Sequence, residues 1–241
     1  MAEYILYYLP YAGASASTFK RWKSIISPKI KFKVIEYSGH GKRNKEDFYT
    51  SYKEACEDIY KIIKVDNKEN LPFFLAGHCL GALLAVEMYY FLKDKDELDL
   101  LKGIIVSGHG APDKIVNEHM ETMNNEELGE YLLKEGAIKK EMLEVDMKPF
   151  FQDLILPPIK ADAKLYNEYS FKKDRDKIGV DLVIMSGAKD WKCPVSEINR
   201  WKEFVDRTIL YFIYDSDHYF INNLREECVN DINDIILETE W

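Results

Sequence analysis

The sequence predicts an α/β fold: a mostly parallel sheet with helices on both faces, broken by one helical insertion. Three observations predict it. Short apolar runs alternate with longer amphipathic ones through residues 1–112 and again through 170–241. The stretch Leu71–Ala82, LPFFLAGHCLGA, passes from an apolar run through Gly77-His78-Cys79-Leu80-Gly81 straight into a helix-forming run. Between residues 113 and 169 the rhythm gives way to short amphipathic segments without a strand. With 241 residues and 46% apolar content, the chain is long enough for one large buried core.

The elements follow in order. Tyr4–Leu9 is the first strand, ended by Pro10, and small residues around one aromatic fill Tyr11–Ser17. Ser17 or Thr18 caps a helix through Trp22 to Ile26. Phe32–Tyr37 is the second strand, and Ser38–Arg43 is a glycine-punctuated turn in which His40 reads as incidental. Tyr52, Ala55, Cys56, Ile59, Tyr60 and Ile63 share one helical stripe, which makes Cys56 a core thiol. Phe73–Ala76 is the central strand, and its helix runs to Leu92. Leu101–Val106, Val180–Ser186 and Ile209–Tyr214 complete the sheet. Ser196–Val205 and a C-terminal helix carrying Cys228, Val229, Ile232, Ile235 and Ile236 cover it.

Within the insertion, Asn117–Met123, Glu126–Glu135, Lys139–Met147 and Pro149–Leu156 read as helices, closed by Pro157-Pro158. Four of the seven methionines lie there: Met120, Met123, Met142 and Met147. Such side chains adapt to varied shapes and suit an acyl chain. Packing of the insertion on itself accounts for most of them.

Composition removes several function classes. The net charge of −9 argues against a nucleic-acid surface. No apolar run is long enough to span a membrane, and no basic segment precedes the first strand, so neither anchor nor signal peptide is expected. The four cysteines are scattered, without C-x-x-C or a His/Cys cluster. That argues against a disulfide framework or a zinc site, so no metal is expected, and it fits a reducing, cytoplasmic setting.

The stretch around Cys79 carries the chemistry. Strand, sharp turn and helix, with glycines two residues either side, is the setting of the nucleophile elbow G-x-S-x-G, here with Cys in the Ser position. The helix start favours a thiolate there. Asp190 follows the strand Val180–Ser186, and His218 follows Ile209–Tyr214. Nucleophile, acid, histidine is the chain order of the α/β-hydrolase triad. His218 is the one of the five histidines that fits it, since His40, His78, His109 and His119 all precede Asp190. A developing oxyanion needs two backbone N–H donors. Leu80, after the nucleophile, supplies one, and the loop after the first strand supplies the other from Ala12 or Tyr11.

With these residues in view, the chain resembles the type II thioesterases, free-standing α/β-hydrolases that serve nonribosomal peptide and polyketide synthases. Tyr8–Ala16 is similar to the family's F-P-Y-A-G-G-S-A, Ser38–Arg43 to P-G-R-G-x-R, and Gly77–Ala82 to G-H-S-M-G-A. Ser107–Pro112, Leu156–Tyr169, Gly187–Asp190 and Asp217–Phe220 extend the likeness over nearly the whole chain. The resemblance implies hydrolysis of acyl groups from the phosphopantetheine arm of an acyl or peptidyl carrier protein. It also implies a lid at 113–169 on a core of 1–112 and 170–241, no cofactor of its own, and a monomer. Cys79 departs from the usual Ser. Transfer of the acyl group to sulfur exchanges one thioester for another, and thiolate attack is intrinsically fast. The alternatives are acyl transfer to an amine from the same acyl-Cys79, a general carboxylester hydrolase, and a non-enzymatic carrier-binding protein.

Overall fold

A computed structural model describes residues 2–144 and 146–238. The outermost positions of the expected core, 1 and 239–241, and position 145 of the expected helix Lys139–Met147, lie outside the described residues. The strands are β1 (Tyr4–Leu9), β2 (Ile30–Val34), β3 (Phe73–His78), β4 (Leu101–Ser107), β5 (Asp181–Gly187) and β6 (Ile209–Tyr214). The helices are α1 (Tyr52–Asp66), α2 (Leu80–Lys93), α3 (Asn125–Lys134), α4 (Lys148–Phe150), α5 (Leu156–Asn167), α6 (Val195–Ile198), α7 (Phe220–Asn223) and α8 (Arg225–Glu238).

The six strands form one sheet in the order β2-β1-β3-β4-β5-β6, and every neighbouring pair is parallel. Alternation along β1 explains the two layers that cover it. Ile5, Tyr7 and Leu9 join a core with α1 and α2. Leu6 and Tyr8 join a second core with Phe19 and Trp22 of the 3-10 helix Ala16–Ser24 and with Cys228, Val229 and Ile232 of α8. Helix α2 is buried nearly all round, as a helix against the middle of the sheet must be. After β1 the chain turns to β2 on one side, then crosses to β3 on the other. The resulting switch point between β1 and β3 opens a crevice at the carboxyl ends of both strands.

Local details differ from expectation. The first helix is a 3-10 helix with Ser15 at its N-cap rather than Ser17 or Thr18. The second strand is shifted to Ile30–Val34 and stops short of Tyr37, its register on β1 running from Tyr4↔Ile30 to Tyr8↔Val34. No helix forms over 117–123: the Asn117 side chain accepts from the His119 N–H at 2.8 Å, and His119 takes φ 55°. Lys139–Met147 contracts to one 3-10 turn, Lys140–Leu143. Pro157 and Pro158 do not end a helix: α4 continues through a π-helical turn, Phe151–Ile155, into α5, and the prolines sit just after that turn. Ser196–Val205 divides into α6 and a 3-10 turn, Asn199–Glu203. Leu128, Leu132, Phe151, Leu156 and Ile159 form a third, smaller core between α3 and α5.

Candidate active site

The turn from β3 into α2 is built on two close approaches. A Cβ at Gly77 would lie 2.1 Å from the Gly81 carbonyl oxygen, and one at Gly81 would lie 2.0 Å from that of Leu9. Glycine at both positions lets strand, helix and the β1 loop converge. Cys79 is held between them at φ 55°, ψ −114°, a region side chains rarely occupy. Its N–H donates to the Ser107 carbonyl at 2.9 Å, which pins the turn to β4. Cys79 is half-buried, whereas Cys56, Cys193 and Cys228 are buried. Burial pushes the Cys193 and Cys228 thiols up to about 12 and that of Cys56 higher still.

Two loops further along the sheet supply the other groups. Asp190 follows β5 and is 2% exposed. One carboxylate oxygen, Oδ1, accepts from the backbone N–H groups of Lys192 and Cys193 at 2.9 and 3.1 Å. The other faces His218 Nδ1 at 2.7 Å. His218 follows β6, is 5% exposed, and interacts with the Cys79 side chain as well as with Asp190. Burial lowers the His218 pKa, but hydrogen bonds and charge from Asp190 and Cys79 outweigh it and raise the value to about 9. Asp215 and Asp217 play no part in orienting the ring. Asp215 pairs with Lys189 at 2.8 Å, and Asp217 accepts from the Tyr219 N–H and the Asn223 side chain.

A narrow cleft opens over these groups, lined by Ala12, Cys79, His218 and the insertion residues Met120, Tyr131 and Ile159. The Ala12 N–H has no acceptor among the described residues. Leu80 is the first residue of α2, where the helix leaves N–H groups free. Of the methionines, Met120 lines the cleft, Met123 and Met142 pack within the third core, and Met147 is exposed.

The other histidines are accounted for. His78 stands below His218 with ring centroids 4.8 Å apart, and its Nδ1 lies 2.9 Å from the Ser107 hydroxyl. Burial holds its pKa far below the ordinary value, so it is a neutral wedge. His109 is held neutral as well, near 4, chiefly by burial. His40 is not incidental: it is buried and pairs through Nε2 with Asp162 of α5 at 2.9 Å. Sequence reading also missed Lys192, whose ammonium pairs with Glu118 at 2.8 Å and ties the Asp190 loop to the insertion. Asp162 left a visible signal, a carboxylate on the buried stripe Ile159, Ala163, Tyr166 of an amphipathic helix. Lys192 and Glu118, far apart in the chain, left none.

Comparison with known proteins agrees with this architecture. Thioesterase PikA5 of Streptomyces venezuelae is 26% identical over 232 residues, covering 96% of this chain and 80% of that protein. The structure of ClbQ from the colibactin NRPS/PKS pathway superposes with a TM-score of 0.87 at 26% identity, covering 98% of this chain and 97% of ClbQ. The RedJ thioesterase from the prodiginine pathway of Streptomyces coelicolor has the same fold, with a TM-score of 0.86 at 22% identity over 96% of this chain and 86% of RedJ. The mostly parallel sheet with its flanking helices is therefore the α/β-hydrolase fold of thioesterases. Residues 4–236 match the thioesterase domain family, and the chain belongs to that family of hydrolytic enzymes.

Proposed function

We propose that the protein is a type II thioesterase that hydrolyses acyl thioesters from the phosphopantetheine arm of a carrier protein, through an acyl-Cys79 intermediate. The observation that carries the mechanism is the buried Asp190–His218 hydrogen bond of 2.7 Å, with Cys79 raising the pKa of the same ring. A protonated His218 favours the Cys79 thiolate. That thiolate attacks the acyl carbonyl, and the N–H groups of Ala12 and Leu80 bind the oxyanion. Collapse breaks the carbon–sulfur bond to pantetheine, and His218 gives the departing thiol its proton. Acylated Cys79 bears no charge, so one of the influences that held the proton on His218 is gone. The neutral ring then takes a proton from water, whose oxygen attacks the acyl-Cys79 carbonyl. The second collapse yields the carboxylic acid and restores Cys79. Water is the only co-reactant, so the scheme needs no cofactor.

In this reading residues 113–169 form a lid over the acyl chamber, on a core of 1–112 and 170–241. The protein works as a monomer in the cytoplasm beside its synthase. Among the described residues no helix is long and apolar enough to cross a membrane. The family match and the pathway association of relatives such as ClbQ support the choice of a carrier-bound substrate.

Intact-mass analysis after mixing with acyl-loaded carrier protein tests the reading. Wild type carries the acyl mass transiently and releases free acid, Cys79→Ala never gains it, and His218→Ala gains and loses it slowly. Turnover by Cys79→Ala at the wild-type rate overturns the mechanism. The sulfur nucleophile favours a second reading, acyl transfer to an amine, because acyl-Cys79 keeps the thioester's reactivity. Amide product in the presence of a primary amine selects it.

A further inference from the structure

We infer that Asp162 is a positioning residue: from helix α5 it holds the loop that presents the Ala12 N–H, and His40 holds Asp162. The inference rests on the acyl-Cys79 reading above. It begins with one oxygen atom. Oδ2 of Asp162 accepts from the Gly13 N–H at 2.8 Å and faces His40 Nε2 at 2.9 Å. The other His40 nitrogen, Nδ1, lies 2.9 Å from the Ser38 carbonyl oxygen. Both neighbours of the ring are acceptors, so both nitrogens carry protons and the pair is an imidazolium and a carboxylate.

The pair is 2% and 4% exposed at its side chains. A buried ion pair gains little stability over apolar residues of the same shape. What it adds here is direction, because a carboxylate oxygen shared by a backbone N–H and a fixed imidazolium has little freedom to move. Shape reinforces it. Gly13 takes φ 75°, and a Cβ there would lie 2.1 Å from Ile159 Cγ1, so the loop backbone rests directly on α5. At the loop's other end the Tyr37 hydroxyl donates to the Pro10 carbonyl at 2.9 Å. The segment between these anchors contains Ala12, whose N–H is the proposed oxyanion donor. Helix α5, next to the proposed acyl chamber, therefore also sets the aim of that donor.

A misaimed oxyanion donor weakens the transition state and leaves ground-state binding alone. Asp162→Ala and Asp162→Asn should therefore lower kcat by about 10- to 100-fold with KM within about twofold, and Asn, which keeps an acceptor for Gly13, should lose less. His40→Gln, which keeps a donor toward Asp162, should lose least. A trifluoromethyl ketone analogue, which forms a tetrahedral adduct on Cys79, should lose affinity for Asp162→Ala by the factor seen in kcat. A non-reactive thioether analogue should bind unchanged. Equal losses for both analogues, or wild-type kcat in folded Asp162→Ala, overturn the inference. If Asp162→Ala does not fold, the Asp162→Asn result decides alone. Wild-type acylation of Cys79, followed by intact mass in the same experiment, separates this failure from failure of the underlying reading.

Discussion

Among the described residues are two buried histidine–carboxylate pairs of nearly equal length, 2.7 Å for His218–Asp190 and 2.9 Å for His40–Asp162. Both histidine pKa values are raised, in each case against the effect of burial. By burial, distance and charge the two pairs are alike, yet they suit different tasks. Asp190 uses its second oxygen on its own loop, accepting from Lys192 and Cys193, and leaves His218 one nitrogen for the cleft. His40 spends both nitrogens on acceptors, the Ser38 carbonyl and Asp162. A ring with no free nitrogen cannot shuttle a proton, however its pKa is tuned; it can only hold something in place. The difference teaches that a perturbed pKa selects candidates, and that the free valence on the ring chooses among them.

Four outcomes test this contrast. The largest effect is expected at the cleft: His218→Ala should lower the steady-state rate by about 10³-fold or more, whereas His40→Gln should lower it by about tenfold or less. Comparable losses in carrier-bound thioester turnover would erase the distinction. Asp190→Asn comes next. It leaves the Lys192 and Cys193 contacts an acceptor but removes the charge on His218, and should cost about 10²- to 10⁴-fold, more than Asp162→Asn costs in the same assay.

The third outcome is spectroscopic. Cys79 contributes to the raised His218 pKa of about 9. Cys79→Ala should therefore lower the His218 value in an NMR titration and leave that of His40 in place. A His218 resonance that titrates identically in both proteins would remove Cys79 from the ring's surroundings. Smallest is the effect on stability. The His40 pKa is raised in the folded state, so its pairing stabilises fully below the unfolded value of about 6.5 and is lost as pH rises through the folded one. The Tm difference between wild type and Asp162→Asn should be greatest at about pH 5 to 6 and shrink toward alkaline pH. A difference that grows with pH would contradict the protonated ring.

Much of the fold was legible because its signals are local. Tyr4–Leu9 and Ile209–Tyr214 read as strands to the residue, since each is a short apolar run between breakers. The stripe on α1 placed Cys56 in the core for the same reason. The elbow was legible because it is written in one contiguous stretch, where Gly77 meets the Gly81 backbone four residues on; the contact that requires Gly81, with Leu9 of β1, was not legible there. The insertion was read less well. Asn117 turns an amphipathic pattern into a loop through one side-chain hydrogen bond, and Pro157-Pro158 sit within a helix that a π-helical turn carries past them. Both outcomes depend on local backbone geometry, and periodicity does not encode that.

By itself, the chain determined that a sulfur would stand at a strained turn between strand and helix, with a carboxylate and an imidazole following later strands of one parallel sheet. Strand order alone then carries them to one edge. Only the tertiary structure decided which of the two paired histidines keeps a nitrogen for the cleft, because that depends on acceptors contributed by distant segments: Asp162 is 122 residues from His40. It also decided that α5 rests on the β1 loop. Hydrophobic patterning specifies which face of a helix is buried, but not which backbone N–H that face will meet.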